Sequence, residues 1–200
     1  MARPRLHTLD DLLDVAEQLV THGDPAGLTL RSLATASGAS NGTIYHAFRS
    51  KEDLLAQLWL RASARLGARI EQAVEAHRDD DPQDVVVAVA TAPVAFTREY
   101  PESAQLFFAQ RSDQLFSGDI SPDLVASLAA ERQRFVTEMV GLAKAAWNRR
   151  DRSAVDAIAA CVVDIPGGMI RRALIEGRRI DAATERRIDA AVRAVLALPL

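Results

Sequence analysis

The chain has 200 residues, 48% of them hydrophobic and 26% charged, and its formal net charge at pH 7 is −3. This composition predicts a folded protein with a hydrophobic core and excludes an intrinsically disordered chain. The slight excess of acid argues against a protein that coats nucleic acid along its whole surface, although a local basic patch is compatible with it.

The cysteine count and the hydropathy of the sequence indicate the cellular compartment in which the protein is expected. The one cysteine, Cys161, excludes an internal disulfide framework and favours a reducing cytoplasm. It lies in an apolar run, so we expect a buried, unreactive thiol. Residues 1–5 are not followed by an apolar segment, and no run approaches the roughly 18–20 apolar residues of a spanning helix. We therefore expect neither a secretory leader nor a membrane partner.

The first predicted helix begins at Thr8 and ends near His22 and Gly23. Acids in its first turn, Asp10 and Asp11, suit a helix N-terminus. Its apolar residues recur at helical spacing and form one stripe; they are Leu9, Leu12, Leu13, Ala16, Leu19 and Val20.

Two short helices and a tight turn follow. Thr29 can cap a helix that runs to Ser37, and Gly38 comes where the backbone needs a positive φ. Ser40 can cap a second helix that ends at Phe48. Two short helices joined by a turn of three or four residues that contains Gly predict a helix-turn-helix.

The second of these helices has two chemically different faces. At about 100° per residue, an inward arc contains Ser40, Ile44, Ala47 and Phe48. The opposite arc contains Gly42, Tyr45, His46 and Arg49, flanked by Asn41 and Thr43. The whole stretch from Thr29 to Lys51 contains no Asp or Glu, although the chain has 27 acids. A polar, cationic, acid-free helix face is typical of a surface that docks on DNA.

The remainder of the sequence predicts six more helices, at 50–77, 82–99, 102–115, 122–149, 152–177 and 181–198, with a loop at 116–121. Ser50 and Asp53 suggest a capping box, and prolines begin several of these helices. Pro166, Gly167 and Gly168 predict a kink. The helix at 122–149 has an expected buried stripe of Val125, Leu128, Phe135, Met139, Val140 and Ala143. The class is therefore all-α, with about nine helices.

Residues 8 to 60 resemble the TetR family of bacterial transcriptional regulators. The resemblance rests on Gly27-Leu28-Thr29, Arg31, Leu33-Ala34, Gly38, Tyr45, Phe48, Ser50-Lys51 and Leu54-Leu55. It implies a helix-turn-helix DNA-binding domain at 1–51 and an effector-binding and dimerisation domain at 52–200. One position departs from the family, since Ala47 stands where His or Tyr often precedes the Phe. A phosphate contact is then lost or moved to His46.

The candidate DNA-binding residues are Thr29, Arg31, Ser40, Asn41, Gly42, Thr43, Tyr45, His46 and Lys51. Asn can pair with adenine and Thr can meet a thymine methyl, whereas Tyr, His and Lys suit phosphate oxygens. Alternatives stay open at single positions. Thr29 and Ser40 can be helix caps only, Tyr45 can be half in the core, and Arg49 can be merely exposed. Arg3 and Arg5 form either an arm on the DNA backbone or a disordered tail.

An effector pocket is expected between the helices of 82–149 and the two C-terminal helices. Its candidate residues are Phe96, Phe107, Phe108, Arg132, Phe135, Met139, Trp147, Asp164 and Met169. Each can equally be a plain core residue. Arg132 and Asp164 interrupt apolar stripes, where an unpaired buried charge is costly. They can pair with each other, cross a dimer interface, or hold a polar group of a ligand.

The function expected from these residues and the resemblance is a ligand-responsive repressor. It binds a palindromic operator in double-stranded DNA as a homodimer, through the helices at 152–177 and 181–198, and a small-molecule effector releases it. The sequence contains no catalytic or phosphate-binding motif and no metal-ligand spacing, so we expect no enzyme, cofactor or metal. The alternative is an all-α dimeric ligand-binding or interaction protein that no longer binds DNA.

Overall fold

The computed structural model describes residues 8–22, 28–109 and 120–199. The described residues form nine helices and no strand, which confirms the predicted all-α class. The helices are α1 (Leu9–His22), α2 (Leu30–Ser37), α3 (Asn41–Ala47), α4 (Lys51–Ala76), α5 (Pro82–Glu99), α6 (Pro101–Ala104, continued by a π turn at Gln105–Ala109), α7 (Pro122–Trp147), α8 (Arg152–Ile175) and α9 (Ala182–Leu196).

Several sequence-based expectations fall outside the described residues. These are the basic arm of Arg3 and Arg5, the end of the first helix at Gly23, the family match at Gly27, residues 110–115 of the helix expected at 102–115, and residues 116–119 of the loop.

Local chemistry sets most of the helix starts. Thr8 Oγ1 accepts from the amide of Asp11, and the Asp11 carboxylate accepts from the amide of Thr8, so α1 begins with a reciprocal cap. Prolines occupy the first turn of α5 and α7, where a missing N–H costs nothing. Asp181 caps α9 by accepting from two backbone amides.

The irregularity in α8 is a π turn at Ala160–Asp164, whereas the sequence predicted a kink at Pro166 to Gly168. Pro166 has no N–H to donate one turn back, and its ring crowds the preceding turn. A widened turn directly before the proline accommodates both effects, and the helix then continues through Gly167 and Gly168 to Ile175.

Two hydrophobic clusters organise the chain. The first joins α1, α2 and α3 to the first turns of α4, and Phe96 of α5 and Leu106 of the π turn also belong to it. The second joins α5, α7, α8 and α9 around residues such as Val94 and Ile158. The long helix α4, of about 39 Å at 1.5 Å per residue, begins in the first cluster and extends away from it.

The first two thirds of α7 stand largely in solvent. Val125 is 52% exposed and Phe135 is 43% exposed. The prediction that these two residues belong to a buried stripe is therefore wrong. Met139 and Ala143, in the last third, are buried as expected. Periodicity showed that α7 has an apolar face, but the face is covered by the rest of the chain only toward its C-terminal end.

Two contacts between α4 and α7 show how these helices lie. The Asp53 carboxylate accepts from the amide of Ser121 at 2.7 Å, and Ser63 Oγ donates to Glu131 Oε1 at 2.5 Å. Both pairs are separated by 68 residues in sequence. A constant offset means that the two helices run parallel and in register, with α7 lying along α4.

Composition alone would allow α8 to cross a membrane, contrary to our expectation that no run is long and apolar enough. Its most apolar stretch has a mean hydropathy of 1.5, and only 28% of that stretch is buried in the chain. The described residues contain no other helix with this property.

Candidate DNA-binding face and effector cavity

The turn between α2 and α3 has the predicted conformation. Thr29 Oγ1 accepts from the amide of Ser32, and Ser32 Oγ accepts from the amide of Thr29, which completes a capping box at the start of α2. Gly38 ends α2 with φ of 72°, and its amide donates to the carbonyl of Ala34. This left-handed conformation suits Gly because a Cβ there meets its own backbone.

The start of α3 corrects one prediction. Ser40 was placed on the inward arc, but it is exposed, because it lies before the helix as its N-cap. Its Oγ accepts from the amide of Thr43 at 3.1 Å and contacts Thr43 Oγ1 at 2.9 Å. Ile44 and Phe48 are fully buried and fix α3 on the first cluster.

The outward face of α3 is as polar and accessible as the sequence predicted. Tyr45 is 58% exposed, which removes the alternative that it is half in the core. The other exposed candidates are Thr29, Arg31, Asn41, Gly42, Thr43, His46 and Arg49, and Lys51 at the start of α4 is half-buried. Ala47 is also half-buried, so the exposed His46 is the side chain beside it that can reach an anion.

A buried ionic network fixes α1 against α4 and α6. The Glu17 carboxylate is 4% exposed, forms an ion pair with Arg61 Nη2 at 2.8 Å, and accepts hydrogen bonds from Arg65 Nη1 at 3.1 Å and Ser103 Oγ at 2.7 Å. The Arg65 guanidinium also lies 4.7 Å from the ring centre of Tyr100. Breaking such a network would leave a buried charge unpaired, so the orientation of α1 on α4 is well determined.

Asp53 departs from its expected role. Ser50 Oγ accepts from the amide of Asp53, as a capping serine should. The Asp53 carboxylate, however, is 3% exposed and accepts from the amide of Ser121. A capping box would need it to reach back to Ser50. Instead, the carboxylate joins the start of α4, two residues after Lys51, to the start of α7.

A cavity of about 720 Å³ lies between α4, the π turn after α6, α7 and α8. The expected pocket residues that line it are Phe107, Phe108, Arg132 and Phe135. Its other walls were not predicted, and they include Trp59, Ser63, Leu66, Gly67 and Ile70 of α4, Pro93 of α5, and Val162 and Val163 of α8. The α4 residues recur at helical spacing, which places them on one face of the helix but does not show which helices that face meets.

The remaining expected pocket residues lie elsewhere. Phe96 is fully buried in the first cluster, where its ring is 6.5 Å from that of Phe107. Trp147 and Met169 pack against the second cluster, and Asp164 is exposed on α8. Met139 lies in the second cluster and borders an adjoining cavity of about 360 Å³. The structure therefore brings four of the nine candidates together at the main cavity.

Charged residues on α7 stand at the mouth of this cavity. Arg134 donates to both carboxylate oxygens of Glu131, at 2.8 and 3.2 Å, and lies 3.6 Å from Glu71 and 3.8 Å from Glu138. Burial alone would raise the pKa of the Glu131 carboxyl, but hydrogen bonds from Arg134 and Ser63 bring that pKa below its ordinary value. Arg132, also at the mouth, is exposed.

The described residues do not group into a metal site, since no three His, Cys, Asp or Glu side chains come together among them. Cys161 is fully buried in the second cluster, and burial raises the pKa of its thiol to about 11. A thiol with this pKa is almost entirely protonated at neutral pH and is a poor nucleophile.

Comparison with known proteins identifies the helix-turn-helix. A family model described as bacterial regulatory proteins, tetR family, matches residues 12–58. An uncharacterized HTH-type transcriptional regulator of Mycobacterium tuberculosis is 31% identical over 123 residues, covering 60% of this chain. The match covers 59% of that relative, so the chain spans about three fifths of its length.

Solved structures extend the likeness to the whole fold. The TetR family transcriptional regulator PfmR from Thermus thermophilus has a TM-score of 0.71 at 23% identity, with 96% of this chain and 97% of PfmR covered. The regulator FadR from Bacillus subtilis, in complex with stearoyl-CoA, has a TM-score of 0.70 at 13% identity, with 95% and 98% covered. Residues 12–58 therefore match the helix-turn-helix model of the tetR family of bacterial regulatory proteins, and the described fold as a whole resembles the folds of solved regulators of that family.

Proposed function

We propose that this protein is a ligand-responsive transcriptional regulator of the bacterial cytoplasm, most simply a repressor that binds a palindromic operator as a homodimer. The observation that carries the proposal is the outward face of α3. It is exposed, contains amide, hydroxyl, imidazole and phenol groups, and is free of acid from Thr29 to Lys51. Such a face meets both base edges and phosphates.

Two consecutive segments of the sequence would have separate roles. Residues 1–51 would form the DNA-binding domain, and residues 52–200 the effector-binding and dimerisation domain. Support for an effector comes from the cavity of about 720 Å³, a size typical of small-molecule sites. The fold neighbour FadR, which was solved with stearoyl-CoA, supports the idea that this fold can hold such a ligand.

Support for the dimer comes from α8. This helix is apolar, yet little of it is buried within one chain, and Ile175 near its end is 62% exposed. An apolar helix face in water favours a partner surface. A second copy that packs α8 and α9 against their equivalents would place two α3 helices in successive major grooves, about 34–36 Å apart. Ala47 is the position that favours the alternative of a protein that has lost DNA binding, and the exposed His46 beside it offers the replacement contact to phosphate.

The test is a salt-dependent DNA titration with Tyr45→Ala and Lys51→Ala. DNA flanking the gene should bind at least about a thousandfold more tightly than random DNA. Lys51→Ala should weaken binding to all sequences and, because each dimer loses two phosphate contacts, reduce the salt slope by about 1.8. Tyr45→Ala should weaken operator binding without changing the helical circular dichroism.

Arg150→Ala is the matched control, because Arg150 is exposed in the turn between α7 and α8, far along the chain from α3. Specific binding that survives both Tyr45→Ala and Lys51→Ala would contradict the proposed interface. Genome-wide selection of bound fragments extends the test to an operator elsewhere. A chain that selects no fragment would overturn the function itself.

A further inference from the structure

The shape of the cavity described above suits an elongated ligand. Five α4 residues line it, and they recur at intervals of about one turn from Trp59 to Ile70. At 1.5 Å per residue, this wall is about 16 Å long. The parallel course of α7 along α4 makes the opposite wall similarly long, with Leu128 and Glu138 at its limits.

The walls of the cavity are apolar and aromatic. Trp59 stacks on Phe107 with the ring centres 5.4 Å apart, and Phe107 meets Phe108 edge to face at 5.2 Å. Ser63 is the one hydroxyl among the lining residues described, and it already donates to Glu131. The body of a ligand would therefore find hydrocarbon contacts and almost no hydrogen-bonding groups.

Four charged side chains line the cavity, and three of them contact one another and together carry one net negative charge. Glu131 and Arg134 are joined by two hydrogen bonds, and Glu138 lies 3.8 Å from the same guanidinium. Arg132 forms no hydrogen bond or ion pair with any residue in the described part of the chain. It is therefore the cationic side chain at the cavity whose N–H donors remain available to a ligand among the described residues.

We propose, on the basis of the regulator function above, that the effector is an apolar carboxylate. Its carboxylate pairs with Arg132, and its hydrocarbon body lies along α4 between Trp59 and Ile70. A guanidinium presents two parallel N–H donors that match the two oxygens of a carboxylate. An apolar amine would be repelled by Arg132, and the carboxylates that could attract it, Glu131 and Glu138, already contact Arg134. Alkyl and aryl carboxylates share this chemistry, and the cavity contains both aliphatic and aromatic walls.

Binding of four probes tests this inference. Dodecanoate, naphthoate, dodecanol and dodecylammonium are added below their micellar concentrations to the full-length protein carrying Trp147→Phe, which leaves Trp59 as the one tryptophan. Quenching of Trp59 fluorescence reports occupancy, and equilibrium dialysis gives the dissociation constant independently. Dodecanoate should bind about 10- to 100-fold more tightly than dodecanol, since a hydrogen bond to a charged group has that effect. Naphthoate decides between an alkyl and an aryl body.

Variants of Arg132 locate the carboxylate. Arg132→Gln should weaken dodecanoate binding to the level of dodecanol and leave dodecanol unchanged, whereas Arg132→Lys should retain part of the difference. Arg150→Gln is the control for the loss of one exposed positive charge. The inference is overturned if dodecylammonium binds most tightly, if Arg132→Gln weakens all probes equally, or if neither carboxylate binds.

The DNA titration of the ligand-free protein separates this inference from the proposed function. Specific DNA binding without carboxylate binding would refute the ligand class and leave the regulator intact. Carboxylate binding without specific DNA binding would support the cavity and refute the regulator. Where both hold, dodecanoate or naphthoate should shift operator affinity in the parent protein but not in Arg132→Gln.

Discussion

At the residue scale, two glycines that differ only in backbone conformation allow a clean comparison. Gly38 has φ of 72° and Gly141 lies in the helical conformation of α7, and a Cβ added at either would meet nothing within 4 Å. Packing therefore does not contribute to the effect of an alanine at either position. The remaining difference is the cost of the left-handed conformation for a residue with a Cβ.

Gly38→Ala should destabilise the protein by about 1 kcal/mol, whereas Gly141→Ala should stabilise it by about 0.5–1 kcal/mol. Urea unfolding of both variants, followed by circular dichroism, measures the two free energies. Gly38→Asn is the internal check, because Asn tolerates this conformation better and should cost less. Equal effects of alanine at the two glycines would show that the turn does not require Gly.

The residue scale also shows where sequence reasoning succeeds. Thr29, Gly38 and Ser40 were placed correctly as cap, left-handed turn and cap because each role depends on neighbours within four residues. Asp53 was misplaced because its partner is 68 residues away. A side chain that can bond locally looks the same in sequence whether it bonds locally or across the fold.

At the element scale, the pairing of α4 with α7 depends on polar contacts as well as apolar ones. The Glu131 carboxylate accepts a hydrogen bond from Ser63 of α4 and another from Arg134 of its own helix. These hydrogen bonds keep the pKa of Glu131 below its ordinary value. A carboxyl whose pKa is lowered by folding stabilises the protein above the pKa of the unfolded chain. That contribution disappears as the pH falls through the lower, folded pKa.

Glu131→Gln should therefore lower the free energy of unfolding by about 1 kcal/mol at neutral pH. The difference from the parent should shrink as the pH falls below the ordinary glutamate pKa of 4.5. Urea unfolding at a series of pH values measures it. Glu75→Gln removes a carboxylate from the exposed pair with Arg78, and it should change stability by less than about 0.5 kcal/mol at every pH. A pH-independent cost at Glu131 would contradict the ionic explanation.

The same helices show what the sequence could not predict about the site. The nine helices of the described residues followed from periodicity, caps and prolines, which are local signals. The walls of the cavity depend on which helices become neighbours, and the pocket expected from the sequence did not include the helix at 50–77. Trp59, Leu66 and Ile70 were missed for this reason, and Phe96 was included although the first cluster buries it. Periodicity identifies an apolar face but not its neighbour.

At the scale of the whole molecule, apolar surface left on one chain distinguishes two possible contact faces. Ile175 ends α8 and is 62% exposed, while Val136 is 46% exposed on α7. The proposed dimer buries α8 and α9, so only the first residue should be covered by a second copy. Chemically matched substitutions at the two positions therefore report on the location of the interface.

Ile175→Asp should weaken the dimer by at least about 2 kcal/mol, roughly thirtyfold in its dissociation constant, because it buries a charge in an apolar contact. Sedimentation equilibrium measures this change, and Val136→Asp should leave the constant unchanged. Operator affinity should fall with Ile175→Asp at concentrations where the dimer dissociates, because one α3 helix contacts a single half-site. It should recover at higher protein concentration, whereas a defect in α3 itself would persist. If Val136→Asp yields monomers and Ile175→Asp does not, the second copy packs on α7.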